Sequence, residues 1–150
     1  MKKTLIIPVG LPRCGKSTWS KNQLWDGSVV VNPDSIRLAI HGHDYIASAE
    51  PLVWATAKIM VNALFTAGHN KVILDATSIK KIDRKGWVRP NDWKTIFVVF
   101  PVNKELFISR AINDGREYLV PIIEKMVLEY EPVEPEEGGI ITYISNEEGN

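Results

Sequence analysis

Leu5-Ile6-Ile7-Pro8-Val9-Gly10-Leu11-Pro12-Arg13-Cys14-Gly15-Lys16-Ser17-Thr18 is the stretch that decides the fold. Its first five residues form a short apolar run that reads as a strand buried on both faces. Gly10–Thr18 then matches G-x-x-x-x-G-K-[ST], in the context that motif requires: after a strand and at the opening of a helix. Gly10 and Gly15 let backbone N–H groups converge on phosphate oxygens, and the helix start adds partial positive charge. Arg13 and Cys14 lie in the same cradle. Lys16 is placed to reach the β- and γ-phosphates, the Ser17 hydroxyl to ligate Mg²⁺, and Thr18 to support the α-phosphate. The expected cofactors are ATP, or another nucleoside triphosphate, and Mg²⁺. The alternative is a glycine-rich turn that binds nothing, and the strand and helix around it argue against that.

Outward from this loop, short β-branched runs alternate with helical patterns. Val29–Val31, Lys71–Leu74, Ile96–Phe100 and Ile140–Ile144 read as four further strands. Helices are expected from the Gly15–Ser17 region towards Trp25, from near Asp34, within Lys80–Val88, over Lys104–Asn113 and over Ile122–Tyr130. A long one runs from about Ser48 to Ala67, with Val53, Trp54, Ala57, Met60, Val61 and Leu64 on its apolar side and Gly68 just past its end. Strand–helix alternation predicts a parallel five-stranded sheet with helices on both faces, and right-handed crossovers leave few topologies. The phosphate-loop motif points to the α/β fold of P-loop NTPases, with the order 2-3-1-4-5 that places strand three beside strand one. Residues 1–150 read as one domain, with a core over about 4–132 and an acidic segment over about 131–150. Glu131–Gly139 is a connector, not a linker between domains.

The bulk composition narrows the classes. A chain of 150 residues with 45% hydrophobic content can bury a real core. One cysteine, Cys14, excludes an internal disulfide and a cysteine zinc cluster, so a reduced, cytoplasmic setting is expected. Cys14 also lies beside a helix start, where a thiol pKa falls. The apolar run at the N-terminus is too short for a signal peptide, and no stretch is long enough to span a membrane. His41, His43 and His69 have no zinc-ligand partners in the sequence. Residues 1–116 carry 17 Lys and Arg against 9 Asp and Glu, whereas residues 117–150 carry 1 against 9. A basic body with an acidic end suits an anionic substrate, and suits an ordinary solvated surface as well.

Strand two leads into Val31-Asn32-Pro33-Asp34-Ser35-Ile36-Arg37. Ligands in parallel sheets gather at the C-terminal ends of strands. Asp34 and Arg37, three apart, share a face if a helix opens here. The carboxylate can take a proton from an attacking hydroxyl, and the guanidinium can bind an acceptor phosphate. The plainer reading is an Asp34 helix cap with a surface arginine. Val72-Ile73-Leu74-Asp75 is an apolar strand ending in an acid. Asp75 suits Mg²⁺ through a water, or the acceptor, or a bond to nearby backbone. Thr77 and Ser78 open the next element. Lys80, Lys81, Arg84, Lys85 and Arg89 form a basic run that either tracks a nucleic-acid backbone or is a solvated face. Trp87 and Trp93 either stack on a base or pack in the core.

Together these residues resemble the kinase domain of phage-type polynucleotide 5′-hydroxyl kinases. The resemblance rests on Gly10–Trp19 (GLPRCGKSTW), Asn32–Arg37 (NPDSIR), Leu74–Thr77 (LDAT) with Arg84 downstream, and Arg110, Arg116 and Val120-Pro121, and it covers most of residues 4–132. It implies transfer of the γ-phosphoryl group to the 5′-hydroxyl of DNA or RNA, in nucleic-acid repair. By that resemblance Lys16 and Ser17 hold the nucleotide and Mg²⁺, Asp34 is the general base and Arg37 contacts the acceptor phosphate. Asp75, Thr77 and Arg84 belong to the acceptor side. A lid arginine clamps the donor phosphates: Arg116 matches best, then Arg110, although their spacing departs from the family's. Tyr130-Glu131-Pro132 and Glu136-Glu137-Gly138 resemble a tail of small P-loop kinases more broadly. The phosphatase domain that some of these enzymes carry is not expected within these 150 residues, which hold no D-x-D-G-T signature. Kinases of a small-molecule hydroxyl (nucleoside, nucleotide, sugar or antibiotic) and non-catalytic nucleotide-binding regulators share the scaffold.

Overall fold

Five apolar segments pair side by side in the computed structural model, which describes residues 2–145. They are β1 (Thr4–Val9), β2 (Val29–Val31), β3 (Lys71–Leu74), β4 (Lys94–Val99) and β5 (Ile140–Tyr143). All pairings are parallel, as the alternation of strands and helices predicts, and the order is the expected β2-β3-β1-β4-β5. The central strand, β1, pairs along its whole length with β4, from Thr4 opposite Lys94 to Val9 opposite Val99. Residues 146–150 of the expected acidic segment lie outside the described residues.

The period-two alternation of β1 and β4 feeds two cores, one per face. Leu5, Ile7 and Val9 of β1 and Phe97 and Val99 of β4 join one cluster, while Val98 joins the other. The helices are α1 (Lys16–Asn22), α2 (Pro33–His41), α3 (Glu50–Thr66), α4 (Lys81–Lys85), α5 (Lys104–Asn113) and α6 (Val120–Glu129). Ile36 of α2 and the buried stripe of α3 cover the first face, and Phe107, Ala111 and Ile123 of α5 and α6 cover the second.

That stripe on α3 is Val53, Ala57, Val61 and Phe65, spaced four apart. Met60, expected on the apolar side, is exposed, and Phe65 takes the inner place. The helix ends as Gly68 predicts. With φ 103° at Gly68, its N–H donates to the Phe65 carbonyl at 3.1 Å and that of His69 to Leu64 at 3.0 Å, the paired bonds of a Schellman motif.

Trp87 and Trp93 are buried in the first core: the Trp93 indole N–H donates to the Trp87 carbonyl at 2.8 Å, and its ring stacks on Phe65. The core reading of these tryptophans therefore holds. The connector carries a 3₁₀ turn, Pro135–Glu137, closed by reciprocal bonds between Glu134 and Glu137. A Cβ at Gly139 would lie 2.4 Å from the Phe97 ring, so only glycine brings the chain this close as it enters β5. No helix among the described residues is long and apolar enough to cross a membrane.

Candidate active site

The phosphate loop leaves β1 at Gly10 and enters α1 at Lys16. Its first amide, of Gly10, donates to the Thr77 carbonyl at 3.0 Å, so Thr77 meets the loop through its backbone. Gly15 has φ 97°, a left-handed conformation natural to glycine, and Arg13 has φ 70°, which for an arginine is unfavourable. A Cβ on Gly10 would lie 2.5 Å from the Cys14 sulfur, so the absence of a side chain there is a packing requirement. Lys16 is buried at the head of α1, while Ser17 and Thr18 are exposed. Cys14 corrects the expectation of an acidified thiol. Burial pushes its pKa up, and the charge of Lys16 and nearby backbone bonds only partly oppose this.

Asp75 follows β3, the strand between β1 and β2, and it is buried. Its Oδ2 accepts from the Ser17 hydroxyl at 3.0 Å and from the Asn32 side-chain amide at 3.4 Å. Asn32 follows β2 and caps α2, its Oδ1 accepting from the Asp34 N–H at 2.8 Å. Pro33 fills the first helical position, where its missing N–H costs nothing. Asp34 is therefore not the cap. Its side chain is 78% exposed, and Arg37 donates to it at 2.7 Å, the i, i+3 contact that the spacing predicts.

Arg37 is more heavily committed than the sequence indicates. Glu50 grips it with two bonds of 2.9 and 2.7 Å, and its guanidinium lies over Trp54 at 5.9 Å. The Arg37 hydrogen bonds outweigh burial and hold the Glu50 carboxyl below the usual carboxylate range. Sequence reasoning missed Asn32 and Glu50 as site residues. Asn32 was visible as a helix-capping residue before Pro33, and Glu50 only as an acid in the first turn of α3.

Arg84 is a correction. It does not face an acceptor: it is 0% exposed. Its guanidinium is spent on Glu137, at 2.7 and 3.1 Å, and on the carbonyls of Ser78, Glu131 and Pro132. The basic run is likewise not a continuous phosphate track, since Lys80 pairs with Glu129 at 3.0 Å and Arg89 with Asp92 at 2.7 Å. Of the two lid candidates, Arg110 donates to the Arg13 carbonyl at 2.9 Å, against the phosphate loop itself, and Arg116 stands exposed on the turn after α5. The His41 and His43 rings stack at the end of α2, and among the described residues no group of three His, Cys, Asp or Glu is placed to hold a metal.

The oxygen donors fit Mg²⁺ of the kind carried by a nucleotide. One hydroxyl and one carboxylate, Ser17 and Asp75, already stand within a hydrogen bond of each other. Mg²⁺ commonly takes one or two protein oxygens beside phosphates and waters. When bound, the ion supplies neutralisation of charge on the transferring phosphates.

A family profile described as an AAA domain matches residues 5–117. The chain belongs to the AAA domain family. Within it, this AAA domain has the P-loop kinase fold. It is similar to a chain in the Pnkp1/Rnl/Hen1 complex, with 27% identity and a TM-score of 0.67, over 73% of this chain and 39% of that one. It thus spans well under half the length of that relative. A fungal RNA kinase matches at 16% identity and a TM-score of 0.65, over 95% of this chain and 74% of the other. A sugar kinase from Janibacter sp. HTCC2649 matches at 16% and 0.64, over 99% and 90%. The last two likenesses are of fold. Comparison with curated protein sequences gives no match.

Proposed function

We propose that this chain transfers the γ-phosphoryl group of ATP, or of another nucleoside triphosphate, to the 5′-hydroxyl of DNA or RNA. The observation that carries the reading is the shared Asp75 oxygen, bonded to Ser17 of the phosphate loop at 3.0 Å and to Asn32 at the head of α2 at 3.4 Å. Donor loop and acceptor helix meet at one atom, with exposed Asp34 on the acceptor side. The hydroxyl oxygen attacks the γ-phosphorus, its proton passes to Asp34, and the bond to the β–γ bridging oxygen breaks to release the diphosphate. Lys16 and Arg116 offset charge on the transferring group. Catalysis is then positioning and electrostatics. The resemblance to polynucleotide kinases supports a nucleic-acid end as acceptor, and the likeness to a chain of the Pnkp1/Rnl/Hen1 complex, described as an RNA repair complex, accords with a role in nucleic-acid repair.

A second reading keeps the reaction and replaces the acceptor with a small-molecule hydroxyl. What favours it is Arg37, whose charge is matched by Glu50 and Asp34 before any acceptor phosphate arrives. Incubation with γ-labelled ATP, Mg²⁺, 5′-hydroxyl oligonucleotides, nucleosides and sugars separates the readings. Label on the oligonucleotides supports the first, and label only on small acceptors replaces it with the second. ATP binding with no labelled acceptor leaves a nucleotide-binding regulator.

A further inference from the structure

Two residues near the phosphate loop break local rules, and they break them against each other. Arg13 occupies a left-handed backbone conformation, φ 70°, that is unfavourable for a non-glycine residue. Asp114 is the C-terminal cap of α5, where the helix dipole disfavours a carboxylate. The Arg13 guanidinium is ion-paired with Asp114, the two side chains being 27% and 49% exposed. From the same last turn of α5, Arg110 donates to the Arg13 carbonyl at 2.9 Å. The end of α5 thus holds Arg13 by both backbone and side chain.

The turn after Asp114 gives this contact a purpose. Gly115, at φ 70°, donates to the Ile112 carbonyl at 3.1 Å, and Arg116 N–H donates to Ala111 at 2.7 Å. These are again the paired bonds of a Schellman motif, so Arg116 stands in fixed register two residues after Asp114. Local rule-breaking that is mutually compensated is characteristic of functional sites. We propose that Arg13 and Asp114 form a latch that couples the phosphate loop to the turn bearing Arg116, so that Arg13 acts as a positioning residue for the lid arginine. The proposal rests on the phosphoryl-transfer reading for its purpose, but not for its test.

The test is amide hydrogen exchange of residues 114–119 in the nucleotide-free protein, for wild type, Arg13→Gly, Asp114→Asn and the double variant. Glycine suits the left-handed backbone at position 13, so Arg13→Gly removes the guanidinium without straining the loop. Each single variant should speed exchange of the turn about two- to fivefold, the size expected of a half-exposed ion pair, and the double variant should add nothing further. In transfer assays each single variant should lower kcat about three- to tenfold and change the KM for ATP less than about twofold, the pattern of a displaced transition-state group. Unchanged exchange in the single variants, or additive effects in the double, would overturn the latch. If wild type transfers no phosphoryl group, the functional reading fails, and the exchange result still decides the latch.

Discussion

Asp34 and Asn32 divide two jobs that a lone aspartate at a helix start can combine. Asn32 supplies the cap, so the carboxylate of Asp34 is free of that duty and stands exposed beside Arg37. Asp34→Asn should therefore leave α2 and ATP affinity intact while lowering turnover about 10²–10⁴-fold, the cost of a lost general base. Turnover and ATP binding measured on the same preparation check this; retained turnover means another group takes the proton. Asn32→Ser keeps a capping oxygen but loses the amide that donates to Asp75. It should leave thermal stability nearly unchanged and lower kcat about 10–100-fold, as loss of a group orienting a metal-site carboxylate does. The i, i+3 partnership of Asp34 and Arg37 was legible in the sequence because helix geometry alone sets it. The grip of Glu50 on Arg37 was not, because it spans two helices and no periodicity encodes which acid a neighbouring helix presents.

At the scale of elements, the phosphate loop was the most legible part, since its glycines answer to close approach. Gly10 is constrained by a neighbour within its own loop: an added methyl meets the Cys14 sulfur at 2.5 Å and Phe100 at 3.1 Å. Gly10→Ala should cost about 1–3 kcal/mol, as overpacking does, and weaken ATP binding with it. Adding Cys14→Ala, which removes the obstructing sulfur, should recover part of both, as denaturation and nucleotide titration of the two variants will tell. No recovery would place the obstruction at Phe100. The long helix α3 was legible in its length and its glycine stop but not in its buried face. It is apolar almost all round, so composition cannot tell Met60, which faces out, from Phe65, which faces in.

Alternation and crossover handedness made the parallel sheet legible in the chain, and the phosphate-loop motif supplied the order of its strands. The anchoring of the C-terminal segment was not legible. Arg84 looks like one more cation on a basic helix, yet its partner Glu137 lies 53 positions away. Removing either partner of such a buried pair strands the other charge, so Glu137→Gln and Arg84→Met should each cost about 3–5 kcal/mol in chemical denaturation. Burial opposes the Glu137 charge, but the Arg84 and Glu134 bonds outweigh it, and its pKa falls below the ordinary 4.5. The pair's contribution is therefore full above the ordinary value and lost as pH falls through the lowered one. Wild type should lose that stability in acid while Glu137→Gln shows a flatter profile there; parallel profiles would contradict the role. In the proposed reaction Lys16 and its loop move the phosphoryl group. The most direct test of this is transfer of label from γ-labelled ATP with Mg²⁺ to the acceptor panel, by wild type and by Lys16→Ala verified as folded. Labelled acceptor with wild type and none with Lys16→Ala is the predicted result; a folded Lys16→Ala protein turning over near the wild-type rate would contradict it.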